Sequence, residues 1–158
     1  MTTESTTRSF AIPKRGERVP LFTGRTSRGD EVRLRDFYLR RNLALVFTHN
    51  VDCEACQEIL RDLVTIRPAV QAEVGEIVVV NSGASVDADL PYPILLDSHN
   101  EIHQRYGLLD ANGQPRAAIF LVDRYGVVFE SSIDAGAHTM LPVHDIPSWM
   151  EFIACRCS

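Results

Sequence analysis

The 158-residue sequence contains no apolar run close to the ~20 residues that a helix needs to cross a bilayer. Its longest apolar stretches, at residues 77–80 and 117–122, have the length of buried strands. Residues 1–9 lack the apolar core and the small-residue cleavage pattern of a secretory signal. These absences predict a protein without a membrane span or membrane partner, and a cytoplasmic location is expected.

The sequence also lacks an excess of positive charge. Sixteen Lys and Arg residues stand against 21 Asp and Glu residues, which leaves a formal net charge of −5. A chain of this charge repels phosphate backbones instead of attracting them. Nucleic acid is therefore not an expected partner.

Cysteines are few, and their spacing says more than their number. The four cysteines form two close pairs, Cys53 with Cys56 and Cys155 with Cys157. A chain of this length buries enough surface to fold without disulfide bonds, and a reducing compartment seldom keeps structural ones. The pairs therefore indicate thiol chemistry.

Composition predicts one domain preceded by an arm. Residues 1–16 are rich in Thr, Ser, Arg and Lys, which favours a flexible segment. Residues 17–158 carry the patterned part of the chain, and no internal repeat divides them. We expect a flexible N-terminal arm over residues 1–16 and a single domain over residues 17–158.

Apolar patterning predicts strands and helices in an α/β order. Apolar residues recur every three or four positions from Ile59 to Val70, which indicates a helix that begins near Cys53 and that Pro68 bends or ends. Shorter helices are expected at residues 100–106 and 147–154. Strands are expected at residues 43–48, 76–81, in the inner part of residues 92–97, and at residues 117–123 and 127–131. Residues 21–26 and 31–34 are expected to form a short hairpin or an extended entry segment. The predicted fold is a central mixed sheet of about five strands with helices on both faces.

The first cysteine pair lies where a buried strand gives way to a helix. Unpaired N–H groups of a first helical turn favour a thiolate, so Cys53 is the expected nucleophile. Cys56, one turn further along, can attack a sulfenic acid or mixed disulfide formed on Cys53. The carboxylates of Asp52 and Glu54 flank Cys53 and oppose its ionisation.

Several motifs in a fixed order resemble a known family. They are GERVPLF at residues 16–22, Val46-Phe47 before Cys53-x-x-Cys56-x-x-x-Leu60, LPYPILLD at residues 90–97, Tyr106-Gly107, and FLVD-x-x-G at residues 120–126. Over residues 16–133 the sequence resembles the thioredoxin-like superfamily, in its alkyl hydroperoxide reductase and thiol-specific antioxidant (AhpC/TSA, peroxiredoxin-like) branch. The resemblance implies a thioredoxin-like fold and an antioxidant oxidoreductase whose redox-active centre reduces a peroxide or a disulfide. It also implies an external dithiol electron donor, thioredoxin-like or glutathione. No cofactor is expected, and a homodimer is possible.

The resemblance allows two assignments of the nucleophile. Relatives with Cys-Pro-x-Cys at this point favour Cys53, whereas alignment of Cys56 with the peroxidatic cysteine places Cys53 where the family has Thr. Two further residues are expected to support the site. His49 lies between the strand and Cys53 and could relay protons or favour the thiolate, and Arg116 lies one residue before the position of the family's arginine.

Other interpretations accompany the redox hypothesis. Cys155 and Cys157 could form a C-terminal redox relay, or the four cysteines could hold zinc in a non-catalytic binding module with a silenced pair. His99 and His103, four residues apart, could bind a metal from one helix face, but solvated surface histidines are the preferred interpretation. No metal site is therefore predicted. Trp149 and Phe152 are expected to make core contacts.

Overall fold

The computed structural model describes residues 10–49, 54–83, 90–134 and 142–156. Cys53, Asp52 and Cys157 lie outside these ranges, as do residues 1–9 of the predicted arm. Seven strands and three α-helices are present in the described residues. They are β1 Thr23–Arg25, β2 Glu31–Arg33, β3 Asn42–Thr48, α1 Glu54–Ala72, β4 Gly75–Asn81, β5 Ile94–Leu96, α2 Glu101–Arg105, β6 Ala118–Val122, β7 Val128–Ile133 and α3 Ile146–Arg156.

The central sheet has five strands in the order β5-β4-β3-β6-β7. β3 pairs in parallel with β4, and β4 pairs in parallel with β5. The β6–β7 hairpin is antiparallel, and β6 runs antiparallel to β3. This arrangement confirms the mixed sheet predicted from sequence. The continuous apolar runs form the strands that are covered on both faces.

Alternate residues of β3 face two separate cores. Leu43, Leu45 and Phe47 pack beneath α2 and the β1–β2 hairpin, in a cluster that includes Phe120. Ala44 and Val46 face the opposite side, where α1 and α3 cover the sheet. Helices therefore lie on both faces, and all seven residues of β3 are buried.

Residues 10–16 of the predicted arm lie against the domain. The N–H of Gly16 donates to the carbonyl of Val128 at 2.9 Å, and Arg15 pairs with Glu130. The side chain of Ile12 packs on the cluster that contains Phe47. The described part of this segment is thus bound to β7 and to the core.

The structure rules out one of the two expectations for Pro68 and corrects the expectation for Phe152. Pro68 does not end α1, which continues to Ala72. Pro68 and Val64, whose carbonyl loses a helical N–H donor at the proline, both lie on the exposed side of the helix, where water can replace the missing bond. Phe152 is not a core residue: it is 52% exposed and stacks on Phe129, whereas the half-buried Trp149 does pack against the core.

Val74, just before β4, has a left-handed backbone conformation with φ of 58°. A β-branched residue in this region is strained by about 1–2 kcal/mol. Because its side chain is half exposed, we expect Val74→Gly to raise the free energy of unfolding by about 1 kcal/mol, as measured by urea denaturation. The same substitution at Val64, inside α1, should lower it by about 1 kcal/mol. A loss of stability in Val74→Gly would contradict the strain.

None of the helices in the described ranges is long and apolar enough to cross a bilayer.

Candidate functional site

The carboxyl ends of β3, β4 and β5 carry buried polar residues. Thr48 and Asn81 are paired across β3 and β4, and Asp97 directly follows β5. The Thr48 hydroxyl donates to Asn81 Oδ1 at 2.7 Å, and the N–H of Asp97 donates to the carbonyl of Asn81 at 2.8 Å. Parallel strands bring their carboxyl ends to one edge of a sheet, which is where such folds place their sites. α1 begins at this edge.

Cys56 lies in the first turn of α1 and is 1% exposed. The main-chain N–H of His49 donates to its sulfur, with the nitrogen 3.3 Å from Sγ. A thiolate is a much stronger acceptor than a thiol, so both this donor and the helix amino end favour the charged sulfur. The structure therefore places Cys56 at a helix start, as the sequence predicted, but beneath the surface.

The other predicted cysteines are placed less completely. Cys155 is exposed in the last turn of α3. Cys53 and Cys157 lie outside the described residues, so the pairings Cys53–Cys56 and Cys155–Cys157 remain predictions. Glu54, the flanking carboxylate within the described ranges, is exposed at the first position of α1.

Asp134 joins the two predicted supporting residues. Its buried carboxylate lies 3.7 Å from Nε2 of His49, and its main-chain carbonyl accepts a hydrogen bond from Nη2 of Arg116 at 3.2 Å. Since the main chain of His49 also contacts the sulfur of Cys56, the structure brings His49, Arg116 and Cys56 into one connected site. Sequence analysis missed Asp134, although a polar residue directly after β7 was a usable signal.

His103 is not the solvated histidine expected from sequence. It is fully buried on α2, with Nδ1 2.8 Å from Asp97 Oδ2 and Nε2 3.1 Å from the carbonyl oxygen of Thr48. Its ring stacks edge-on against Phe47, with 5.2 Å between the centroids. His99 precedes α2 and is exposed, so the two histidines do not share a helix face. The expectation failed because partners distant in sequence satisfy the ring.

Asp97 caps α2 as well as holding His103. Its carboxylate accepts hydrogen bonds from the main-chain N–H groups of Ile102 and His103 at 3.1 and 2.9 Å. Burial alone would raise the pKa of this carboxyl. The hydrogen bonds from His103 and Ile102 outweigh burial and hold the pKa below its ordinary value of 3.8. Asp97 is therefore ionised at neutral pH.

Two other features bear on ligands. In the described ranges, no group of three or more His, Cys, Asp or Glu side chains is arranged to hold a metal ion. An open depression of about 660 Å³ lies between Arg15, Phe129, Trp149 and Phe152. Its lining includes neither Cys56 nor His49.

Comparison with known proteins gives one family and one fold. The model of the AhpC/TSA family matches residues 15–131. A reduced 2-Cys peroxiredoxin from Plasmodium vivax superimposes with a TM-score of 0.79 at 16% identity, covering 90% of this chain and 97% of that one. Peroxidoxin BcpB from Mycobacterium tuberculosis gives 0.75 at 14% identity, covering 92% and 99%. A thiol peroxidase from Chromobacterium violaceum gives 0.69 at 20% identity, covering 91% and 90%.

These similarities confirm the thioredoxin-like fold predicted from sequence, and at such identities the structural likeness concerns the fold alone. No curated protein sequence matches the chain.

Proposed function

Because the chain belongs to the AhpC/TSA family, we propose that it is a thiol-dependent oxidoreductase that reduces a peroxide or a disulfide through Cys53 and Cys56. One observation carries the proposal: the sulfur of Cys56 lies in the first turn of α1 and accepts the N–H of His49. The helix start and this hydrogen bond favour the thiolate, and they act against the burial of the side chain, which opposes it.

The proposed cycle begins at Cys53. Its thiolate attacks one oxygen of the peroxide, the O–O bond breaks, and the leaving alkoxide or hydroxide takes a proton, so Cys53 becomes a sulfenic acid. The Cys56 thiolate then attacks the Cys53 sulfur, the S–O bond breaks, and a disulfide forms while the hydroxide that leaves takes a proton to become water. An external thiol donor, one thioredoxin-like dithiol or two molecules of glutathione, reduces the disulfide. With a disulfide substrate, the first step is thiolate exchange instead.

His49 and Arg116 have supporting roles in this proposal. The His49 ring, 3.7 Å from the Asp134 carboxylate, can hold the proton that the leaving oxygen needs. Arg116 fixes the main chain at Asp134 through its 3.2 Å hydrogen bond.

Rapid mixing of the reduced protein with hydrogen peroxide tests the proposal. In Cys56→Ser we expect Cys53 to accumulate as a sulfenic acid, trapped by a carbon nucleophile and located by peptide mass. In the native protein we expect a Cys53–Cys56 disulfide to form instead. Free cysteine under the same conditions is the reference, since an ordinary thiol should oxidise more slowly than the activated pair.

Two outcomes would revise or reject the proposal. Sulfenic acid on Cys56 in the Cys53→Ser variant, with none on Cys53 in Cys56→Ser, would reverse the roles. Oxidation of both cysteines no faster than free cysteine would reject the redox function. The Cys155→Ser/Cys157→Ser variant tests the C-terminal relay, because only a relay makes turnover depend on the tail.

The alternative function is a thioredoxin-fold binding or zinc-holding module with a silenced cysteine pair. The negative charges of Asp52 and Glu54 beside Cys53 favour it, because they disfavour the thiolate. Metal analysis of the purified protein, combined with thiol titration, separates the two functions. Stoichiometric zinc with four unreactive thiols would support the module.

A further inference from the structure

A buried imidazole lies behind the peptide that contacts the Cys56 sulfur. Both ring nitrogens of His103 face oxygen atoms, Nδ1 a carboxylate oxygen of Asp97 and Nε2 the carbonyl of Thr48. A carbonyl oxygen and an ionised carboxylate accept hydrogen bonds and cannot donate them. Only the doubly protonated imidazolium donates to both oxygens at once.

The arrangement around Asp97 disfavours the opposite proton assignment. A protonated carboxyl could donate to Nδ1, but this carboxylate already accepts the N–H groups of Ile102 and His103. These donors stabilise its ionised form. The side chains of His103 and Asp97 therefore form a buried hydrogen-bonded pair, and the second ring nitrogen, Nε2, points toward Thr48.

One peptide unit connects Nε2 of His103 to the sulfur of Cys56. The Thr48 carbonyl accepts Nε2–H of His103 and also the main-chain N–H of Ser82 at 3.1 Å. The N–H of the same peptide, on His49, donates to Cys56 Sγ. A cation at the carbonyl side polarises an amide, and its N–H becomes a stronger donor.

We propose that His103 is a positioning residue: held by Asp97, it polarises the Thr48–His49 peptide and thereby stabilises the Cys56 thiolate. The inference rests on the proposed function only for what the thiolate does. If Cys53 is the nucleophile, the Cys56 thiolate attacks the Cys53 sulfur; if Cys56 is the nucleophile, its thiolate attacks the peroxide. The ionisation itself is measurable without any substrate.

Other titratable and charged groups surround the two ends of this chain of hydrogen bonds. Tyr106 contacts the same phenyl ring, Phe47, as His103, and burial raises its pKa well above 10.0, so it stays neutral while a thiol titrates. At the sulfur end lie the ring of His49, the carboxylate of Asp134 and, behind it, Arg116. A comparison that changes residue 103 alone leaves these groups in place.

The test uses protein in which Cys56 is the sole thiol, made by the substitutions Cys53→Ser, Cys155→Ser and Cys157→Ser. The ultraviolet absorbance of the thiolate gives the pH midpoint at which Cys56 ionises. Adding His103→Gln is expected to raise this midpoint by about one unit, the size expected for losing one charge two hydrogen bonds from the sulfur. An equal midpoint in the folded variant would overturn the proposal.

His144→Gln is the matched control. His144 is exposed, and its Nε2 lies 3.8 Å from a carboxylate oxygen of Asp62 on α1. Like His103 it is a histidine beside an aspartate, but the oxygen that its ring faces belongs to α1 and not to the Thr48–His49 peptide. We expect its substitution to leave the midpoint of Cys56 unchanged, and an equal shift in both variants would overturn the specific role of His103.

A measurement on the protein with its native His103 covers the case in which His103→Gln does not fold. In nitrogen-labelled protein at neutral pH, His103 should show two protected ring N–H signals, and both should shift as Cys56 ionises, because coupling between two sites is reciprocal. A single ring N–H, or signals indifferent to the thiol, would overturn the proposal. If the native protein reduces neither a peroxide nor a disulfide, but the midpoint of Cys56 still shifts in His103→Gln, the proposed function alone is rejected.

Discussion

Replacing Cys53 or Cys56 with Ser is expected to lower turnover of peroxide or disulfide, driven by a dithiol donor, by at least ~10³-fold. A serine hydroxyl does not ionise near neutral pH and cannot form the disulfide that the donor reduces. The loss should appear in kcat, measured by consumption of the donor, with the fold intact by circular dichroism. Such retention of fold is expected because Ser is nearly isosteric with Cys.

The control for this prediction is Cys155→Ser, which removes an exposed thiol from α3. It tests whether the loss is specific to Cys53 and Cys56. Single-turnover experiments refine the result: if Cys53 is the nucleophile, Cys56→Ser keeps the first oxidation and loses only the cycle. Full activity in both Cys53→Ser and Cys56→Ser would remove the basis of the proposed function.

Asp97→Asn is expected to lower the free energy of unfolding by about 3–5 kcal/mol. The carboxylate accepts hydrogen bonds from two main-chain N–H groups and from the His103 ring. In asparagine an N–H₂ group replaces one carboxylate oxygen, so a donor then faces the donors that this oxygen accepted. Urea denaturation measures the loss. Asp36→Asn, at an exposed carboxylate, should change stability by less than about 0.5 kcal/mol. Equal effects at Asp97 and Asp36 would contradict the network.

The same carboxyl predicts a pH dependence with a definite sign. The pKa of Asp97 in the folded protein is lowered below 3.8 by its hydrogen bonds with His103 and Ile102, against the raising effect of burial. A lowered pKa contributes stability that is complete above about pH 5 and is lost as pH falls through the folded-state value. As pH falls from 5 through the folded-state pKa of Asp97, the free energy of unfolding should therefore decrease less in Asp97→Asn than in the native protein. Urea denaturation at several pH values measures this difference.

The elements near the site were predictable because their signals are local. The apolar run that became β3 needs no distant residue to be recognised, and the same holds for the stripe of α1 from Leu60 to Val70. Pro68 shows the limit of such rules. Whether a proline ends a helix depends on which side of the helix loses its hydrogen bond, and that is a property of packing.

The histidines show why the site was only partly predictable. His103 was assigned to the surface because a polar residue on a short helix is usually solvated, yet Thr48, 55 residues away, and Asp97 satisfy both ring nitrogens. His49 was singled out from its position beside the cysteines, but its partner Asp134 comes from the end of β7. Chain spacing does not encode these partners.

By itself the sequence determined the thioredoxin-like fold, the order of its strands and helices, and the location of Cys56 at the start of a helix, because apolar periodicity and the family's motifs are local properties of the chain. Tertiary structure alone decided that hydrogen bonds connect Asp97, His103, the Thr48–His49 peptide and the sulfur of Cys56 in sequence. Strands parallel in the sheet bring their carboxyl ends to one edge, and only there do residues far apart in sequence become hydrogen-bond partners.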